Sequence, residues 1–417
     1  MKLTDSLREV AGDQSLGTWT EPASGRELPL VTPTDEATAV RIVRFATDNQ
    51  LALIPIGLGG KTSLTSAAQR VDFAVSTRGL SGVEAYEPGD GTVTVRAGTT
   101  MSELREVVNA GGHRLTPDVP LPESATIGGV VAAGQSGFDR LRYGPLRNHV
   151  LGLRVLLGDG TVARTGGRLV KNVTGYDLQR LYTGSRGSLC LILEASLRLF
   201  ALPEDELAFA GTTSELGEAL DAVTRLSALP LTWDTLTITG NPGEFRVFGA
   251  LAGRSLMLSA HRASVSQALH GLEALEVHEG TEAREACNRT RDAELEGGWP
   301  DLRLYCRPSE LVGKCERLHA ALTELGETRS RLGLHPELAS LDITLASTDP
   351  ERRRELLAEL HEVSTRHALR IEWLASHLEL PERPPTAETA ADRLMARLQH
   401  SLDPAGVFAR GRFYRGL

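Results

Sequence analysis

Cysteine is scarce in this chain. Its 417 residues hold four, Cys190, Cys287, Cys306 and Cys315, and no two form a Cys-x-x-Cys pair. An iron–sulfur cluster needs grouped thiolates, and a zinc site needs clustered Cys and His. Neither centre is expected here, and the thiols read as separate buried side chains. Long apolar runs are also missing: none approaches the ~18 residues of a membrane span. The opening stretch MKLTDSLREV lacks the apolar core of a signal peptide, so a cytoplasmic protein is expected. Positive charge is not in excess. Lys and Arg number 45 against 54 Asp and Glu, a net charge of −9, which argues against a nucleic-acid partner held by cations on phosphate.

What is present is an ordinary hydrophobic fraction, 41%, typical of a globular protein, in a chain too long for one core, so two domains are expected. Glycine is uneven: of 42, 26 lie in residues 1–200 and 16 in the remaining 217. A boundary is expected near LFALPEDEL. The stretch PIGLGGKTS, Pro55 to Ser63, resembles a phosphate loop. It misses the ATP-binding pattern because Pro55 replaces the first Gly, and the dinucleotide fingerprint because Thr62 replaces the last. Nor does a helical period follow Lys61, and a P-loop needs a helix N-terminus there. A P-loop hydrolase is therefore the weakest of the function classes considered.

Along the first half, Thr34 is expected to cap a helix in DEATAVRIVRFATDNQ, with Ala37, Val40, Val43 and Ala46 inward. The strand LALIPI delivers the Gly loop. Thr100 and Glu103 form a capping box for TMSELREVVNAGG, with Leu104, Val107 and Val108 inward and Gly111-Gly112 as the stop. Two strands flank an Asp159-Gly160 turn. In the second half LAFAG, WDTLTITG, FRVFGAL, LRLYCRP, LDITLAS and LRIEWLAS read as strands. Amphipathic segments such as SELGEALDAVTRLSAL and SELVGKCERLHAALTEL lie between them. That rhythm predicts an α+β sheet covered by helices on one face. LELPERPPTAET reads as a linker before a last helix and tail.

A second Gly- and hydroxyl-rich stretch runs from Ser124 to Gly137. Gly lets backbone N–H groups converge on oxyanions. Two such stretches some 70 residues apart suit a long ligand with a pyrophosphate lying between two subdomains. Gly59 and Gly60 are both expected to resist a β-branched replacement, because the loop needs positive φ and close backbone approach.

PIGLGGKTS, PESATIGGVVAAGQSG, RYGPLRNHVLGLRVLLGDGTV, GGRLVKNVTGYDLQRLYTGSRGSLCLILEASLRL and the tail LDPAGVFARGRF occur in this order. Together they resemble the FAD-binding oxidoreductases of the vanillyl-alcohol oxidase/p-cresol methylhydroxylase (PCMH) type, and within them the glycolate oxidase FAD-binding subunits of the smaller, GlcE type. The resemblance covers roughly residues 30–200 and the tail; over 205–385 it rests on length and layout. It implies an α+β fold. Residues 1–204 would form a two-subdomain FAD-binding domain (about 1–80 and 81–204). Residues 205–385 would form an α+β cap with an antiparallel sheet covered by helices, and 386–417 a helix and tail returning to the FAD domain.

The resemblance implies that Ile56, Gly57, Leu58, Gly59, Gly60 and Lys61 hold the FAD pyrophosphate, and that Ala125, Thr126, Ile127, Gly128 and Gly129 line the cofactor from the other side. Pro117, Asp118, Ser136, Arg142, Tyr143 and Ile192 fall where family members touch it. Arg186 and Cys190 replace the usual Glu and Gly of GSEGTLGVI. Lys171, in VKNVTGYDL with Asn172, Tyr176 and Asp177, is the weak catalytic candidate, able to stabilise a reduced, anionic ring. No His stands at Gly59, Gly60 or Lys61, where relatives attach flavin covalently, so non-covalent FAD is expected. Catalytic members carry a His-rich acidic motif in the cap. Here His335, His361, His367 and His377 show no such grouping, and His361 and His367, six apart, fall on different helix faces. No metal is expected. The implied role is an FAD subunit of a glycolate oxidase complex, working with a related catalytic FAD subunit and an iron–sulfur subunit to oxidise glycolate to glyoxylate. A self-sufficient FAD-dependent lactate/glycolate dehydrogenase is the alternative.

Overall fold

The computed structural model describes residues 3–22, 24–62, 70–168, 175–295, 299–374 and 390–409. The chain divides into two compact units: Met1–Ser136 with Pro145–Leu202 and Pro384–Leu417, and Gly137–Gly144 with Pro203–Arg383.

The first unit holds two main sheets. The smaller has strand order Leu16–Thr20, Glu27–Val31, Phe73–Ser76, Leu53–Ile56. Its first pair is antiparallel and the others parallel. The helix Glu36–Asp48 precedes Leu53–Ile56 as expected, but Asp35, not Thr34, caps it: the Asp35 carboxylate accepts from Thr38 N at 2.7 Å. A carboxylate at that position also meets the positive end of the helix dipole. The buried stripe is accordingly Ala39, Ile42, Val43 and Ala46, while Ala37 is exposed and Val40 half-buried.

The larger sheet is antiparallel, in the order Val83–Glu87, Thr92–Arg96, Leu191–Arg198, Val150–Leu156, Val162–Gly166. Helix Met101–Ala110 has the expected capping box. Met101, Leu104 and Val108 face the core and Val107 is 42% exposed, because a helical stripe follows i, i+3, i+7. The Asp159-Gly160 turn forms between the last two strands, with Gly160 at φ 80. One cluster, with Ile42, Phe73 and Phe408 beside Leu156, Leu191 and Leu193, joins the two sheets.

The tail strengthens the strand that carries the Gly loop. Leu53 N donates to Val407 O at 2.7 Å and Ala409 N to Leu53 O at 2.8 Å. Asp403, fully buried, holds this return: its carboxylate accepts from Val407 N at 2.9 Å and Phe408 N at 2.8 Å. Each hydrogen bond to a charged group contributes roughly 1.5–3 kcal/mol. Asp403→Ala is therefore expected to lower unfolding stability by about 3 kcal/mol, with Asp403→Asn losing less. The shift in denaturant midpoint measures it, and an unchanged midpoint would dismiss the clamp.

The second unit is built on an eight-stranded antiparallel sheet. Its order is Glu273–Glu279, Asp205–Thr213, Glu244–Gly253, Thr235–Asn241, Arg331–His335, Ser340–Thr344, Leu302–Tyr305, Arg370–Trp373. Helices Leu216–Ser227, Ser255–Ala268, Leu311–Glu324 and Pro350–Arg366 cover one face, where Phe209, Ile238, Val247, Leu304, Leu334 and Ile343 point. The one-face expectation needs correcting. Helix Gly280–Ala293 lies on the other face, its Ala283 and Ala286 against Ala208, Ala210, Phe248 and Ala250. Small side chains allow that close approach. Further along the same face the alternation of strand side chains presents polar groups instead: Arg303, whose guanidinium grips Asp342 with two bonds of 2.6 Å, and His335.

Candidate functional site

The first unit's cleft begins where strand Leu53–Ile56 ends. Ser76 Oγ donates to Gly57 O at 2.7 Å, Thr77 Oγ1 to Ile56 O at 3.3 Å, and Thr62 Oγ1 to Gly59 O at 2.7 Å. These bonds occupy the loop's carbonyls from within. Gly59 has φ +83, whereas Gly60 does not lie in the positive-φ region. The conformational part of the expectation for Gly60 is thus corrected; there a Cβ would stand 3.3 Å from Ser124 O.

The second Gly-rich stretch packs directly on the first. A Cβ on Gly57 would lie 2.0 Å from Thr126 Oγ1, so only glycine fits. Thr126 in turn caps the short helix Ile127–Ala133, its Oγ1 accepting from Gly129 N. Gly128 N donates to Ala97 O at 2.8 Å, and a Cβ on Gly128 would meet Ala97 Cβ at 2.7 Å. The third wall comes from the turn before strand Leu191–Arg198. Gly184 and Gly187 have φ 84 and 73, and Arg186 is a non-glycine at φ 55. Its N–H donates to Ala132 O at 2.7 Å.

Of the residues singled out from sequence, Ile56, Gly57, Leu58, Gly59, Gly60, Lys61, Ala125, Thr126, Gly128, Gly129 and Ile192 line this one cleft. Arg186 and Cys190, marked as departures from the family pattern, line it too, as do Ser124, which opens the second Gly-rich stretch, and Thr77, which no sequence motif marks. Thr77 follows a strand parallel to Leu53–Ile56, so both strands end at the same edge, a pairing that local sequence does not reveal. Other candidates lie elsewhere. Ile127 is in the core. Asp118 pairs with Arg105 at 2.9 Å, and the same guanidinium donates to Pro117 O. Ser136 Oγ accepts from Leu146 N. Arg142 belongs to the second unit, donating to Asp234 at 2.7 Å and to Ala252 O at 2.6 Å, and sits 5.4 Å from the Tyr143 ring centre. Lys171 and Asn172 lie outside the described residues. Tyr176 is 89% exposed, and Asp177 pairs with Arg180 at 3.5 Å.

Two cationic side chains, Lys61 and Arg186, stand on the cleft lining. Burial pushes the Lys61 ammonium down to about 8, because a low-dielectric wall disfavours its charged form. Burial also raises the Cys190 thiol far above its usual value, so it sits as an uncharged, inert wall. Among the described residues no group of three His, Cys, Asp or Glu could hold a metal, and no helix is long and apolar enough to cross a membrane. Glycines at the two contacts, backbone N–H groups freed from side-chain obstruction and the half-buried Lys61, with Arg186 on the third wall, fit a pyrophosphate.

The fold is that of PCMH-type structures. The structure of p-cresol methylhydroxylase with substrate bound matches with a TM-score of 0.77 at 14% identity, covering 98% of this chain and 96% of that one. Residues 28–166 match the family described as an FAD binding domain. The chain is 30% identical over 210 residues to the D-lactate dehydrogenase of Archaeoglobus fulgidus, 49% of this chain and 46% of that protein. It is 36% identical over 151 residues to glycolate oxidase subunit GlcE of Escherichia coli, 36% of this chain and 43% of that protein. It spans less than half the length of the curated relatives it matches.

Proposed function

We propose that the chain is an FAD-binding subunit of a glycolate oxidase-type complex, taking part in the flavin-dependent oxidation of a small 2-hydroxy acid and passing electrons to partner subunits. The observation that carries the cofactor part is the contact of the two Gly-rich loops at Gly57 and Thr126. The similarity to GlcE supports the subunit role. In this reading the backbone of Gly57–Lys61 holds the pyrophosphate, with Thr126 and Gly129 opposite and Arg186, Cys190 and Ile192 as the third wall. When bound, FAD supplies a two-electron acceptor. The loops orient it and Lys61 offsets phosphate charge. The partners would be a related catalytic FAD subunit and an iron–sulfur subunit.

Acid precipitation of the purified yellow protein tests the attachment. All flavin is expected in the supernatant, as FAD. Flavin left on the pellet, or FMN in place of FAD, would defeat the reading.

Lys61 gives the binding a defined pH dependence. Before FAD binds, burial holds the group down at about 8, and a neighbouring phosphate returns it toward its ordinary value of ~10.4. Protonated in both states below pH 8, it makes the FAD Kd flat there. Above that, binding must take up a proton, so Kd weakens about tenfold per pH unit until the bound-state value is reached. Lys61→Met should flatten this rise. A wild-type Kd that stays level from pH 7 to 10 would remove Lys61 from the phosphate site.

A second reading, a self-sufficient lactate or glycolate dehydrogenase, draws on His335. Burial holds its ring down to about 4, against the pull of Asp342, with Arg303 and Arg140 adding to the fall. Nδ1 is 3.4 Å from Thr237 Oγ1, and Nε2 is 4.0 Å from Asp342. A neutral imidazole can accept a hydroxyl proton.

A further inference from the structure

A second depression, of about 390 Å³, opens on the first unit between the turn Leu146–Asn148, the helix Leu178–Tyr182, residues 183–189 and the helix Ala390–Leu402. Arg147 and Arg180 stand on its lining, and no acidic side chain does among the described residues. Arg180 shares its charge with Asp177 at 3.5 Å. The Thr183 and Ser188 hydroxyls are already used, donating to Gln179 O and Ser185 O at 2.7 Å each. Ser185 differs. It is only 2% exposed, and its Oγ is buried without a hydrogen-bond partner. Buried hydroxyls nearly always have partners, since leaving one unpaired forfeits its hydration. Leu189 and Met395 add an apolar patch.

We propose that this depression is a binding site for a small oxyanion, a phosphate or carboxylate group on a short carbon body. One ligand oxygen takes the Ser185 hydroxyl, Arg147 and Arg180 balance its charge, and Leu189 and Met395 cover the carbon body. The site is separate from the flavin cleft yet backs onto it: residues 183–185 and 188–189 line the second depression, while Arg186, Gly187 and Cys190 of the same segment line the first. The proposal stands whether or not the first cleft holds flavin.

Inorganic phosphate, with acetate as the carboxylate probe, is titrated into the purified full-length protein as isolated, at ionic strength fixed with sodium chloride. Calorimetry and thermal unfolding are both read. At least one of the two anions is expected to give saturable heat and raise Tm; which one does so tells phosphate from carboxylate. Arg147→Ala should weaken binding about tenfold or more, and Arg180→Ala likewise. Ser185→Ala separates ligand binding from a structural role. It should weaken binding without lowering Tm in anion-free buffer, because no protein hydrogen bond is lost. Lys61→Gln, in the other cleft, should bind the anion as the parent does. The proposal is overturned if neither anion binds, or if the arginine and serine variants bind as the parent does. A fall in anion-free Tm for Ser185→Ala, or loss of binding in Lys61→Gln, overturns it equally.

Discussion

Gly57→Ala is expected to give a colourless protein. The added methyl would lie 2.0 Å from Thr126 Oγ1 and 3.0 Å from both Thr126 Cβ and Cγ2. Real carbon–oxygen contacts do not approach so closely, so one loop must retreat. Thr126 is not free to do so: its Oγ1 caps the helix at Gly129, and its neighbours on both sides are bonded to the strand connection, Met101 N to Ala125 O at 2.8 Å and Ile127 N to Thr99 O at 2.9 Å. The Gly57 side yields instead, and the N–H groups beside it leave the positions that a pyrophosphate needs. Gly59→Val should act by a different route, since a β-branched residue at φ +83 is strained by roughly 1–3 kcal/mol or more. Gly60→Ala is the milder control, with a carbonyl 3.3 Å away and no positive φ to defend. Flavin per chain, read from absorbance, should fall more than tenfold for Gly57→Ala and Gly59→Val and far less for Gly60→Ala. Circular dichroism should show that all three remain folded. Full flavin content in a folded Gly57→Ala protein would mean that the two loops do not close on the cofactor.

The sequence made these loops legible because glycine and hydroxyl residues are rare enough in dense runs to stand out. It could not show that the runs touch. That contact depends on the pairing of Leu53–Ile56 with Phe73–Ser76 and on the isolated bridge of Thr100 to Thr126, both set by distant partners. Strand content in the second unit was readable where apolar residues alternate, as in Thr235–Asn241. The strand Glu273–Glu279 escaped because it is an edge strand, largely exposed and rich in glutamate, so it carries little apolar signal. Arg331–His335 escaped because five residues with a central glycine barely form a pattern. Arg142 and Tyr143 illustrate another limit. The family resemblance implied cofactor contact for them; the backbone there belongs to the second unit, where Arg142 donates to Asp234 and to Ala252 O. A motif fixes position along the chain, whereas the side chain's partner is chosen by packing.

Alone, the chain is expected to oxidise glycolate and lactate slowly or not at all, at least a hundredfold below the rate reached with the partner subunits proposed for it. Removing a hydride from a 2-hydroxy acid needs a base within ~3 Å of the hydroxyl proton and a cation to hold the carboxylate. A positioned base alone contributes roughly 10²–10⁴ in rate. The sequence offers no grouped His and Asp for the first task. For the second, the Arg303 fork on the polar sheet face is already bound through both arms to Asp342 at 2.6 Å, and a substrate carboxylate would have to displace that pair. Onward transfer meets a similar gap, because the four cysteines are thiols not joined in disulfides and, among the described residues, form no group that could hold a cluster. Steady-state rates with an artificial acceptor decide the matter, measured for the chain alone and after combination with a related FAD subunit and an iron–sulfur protein. Fast turnover by the isolated chain would overturn the subunit reading. If that turnover then fell a hundredfold or more in His335→Gln while flavin content held, the base would be His335 and the self-sufficient dehydrogenase would take its place.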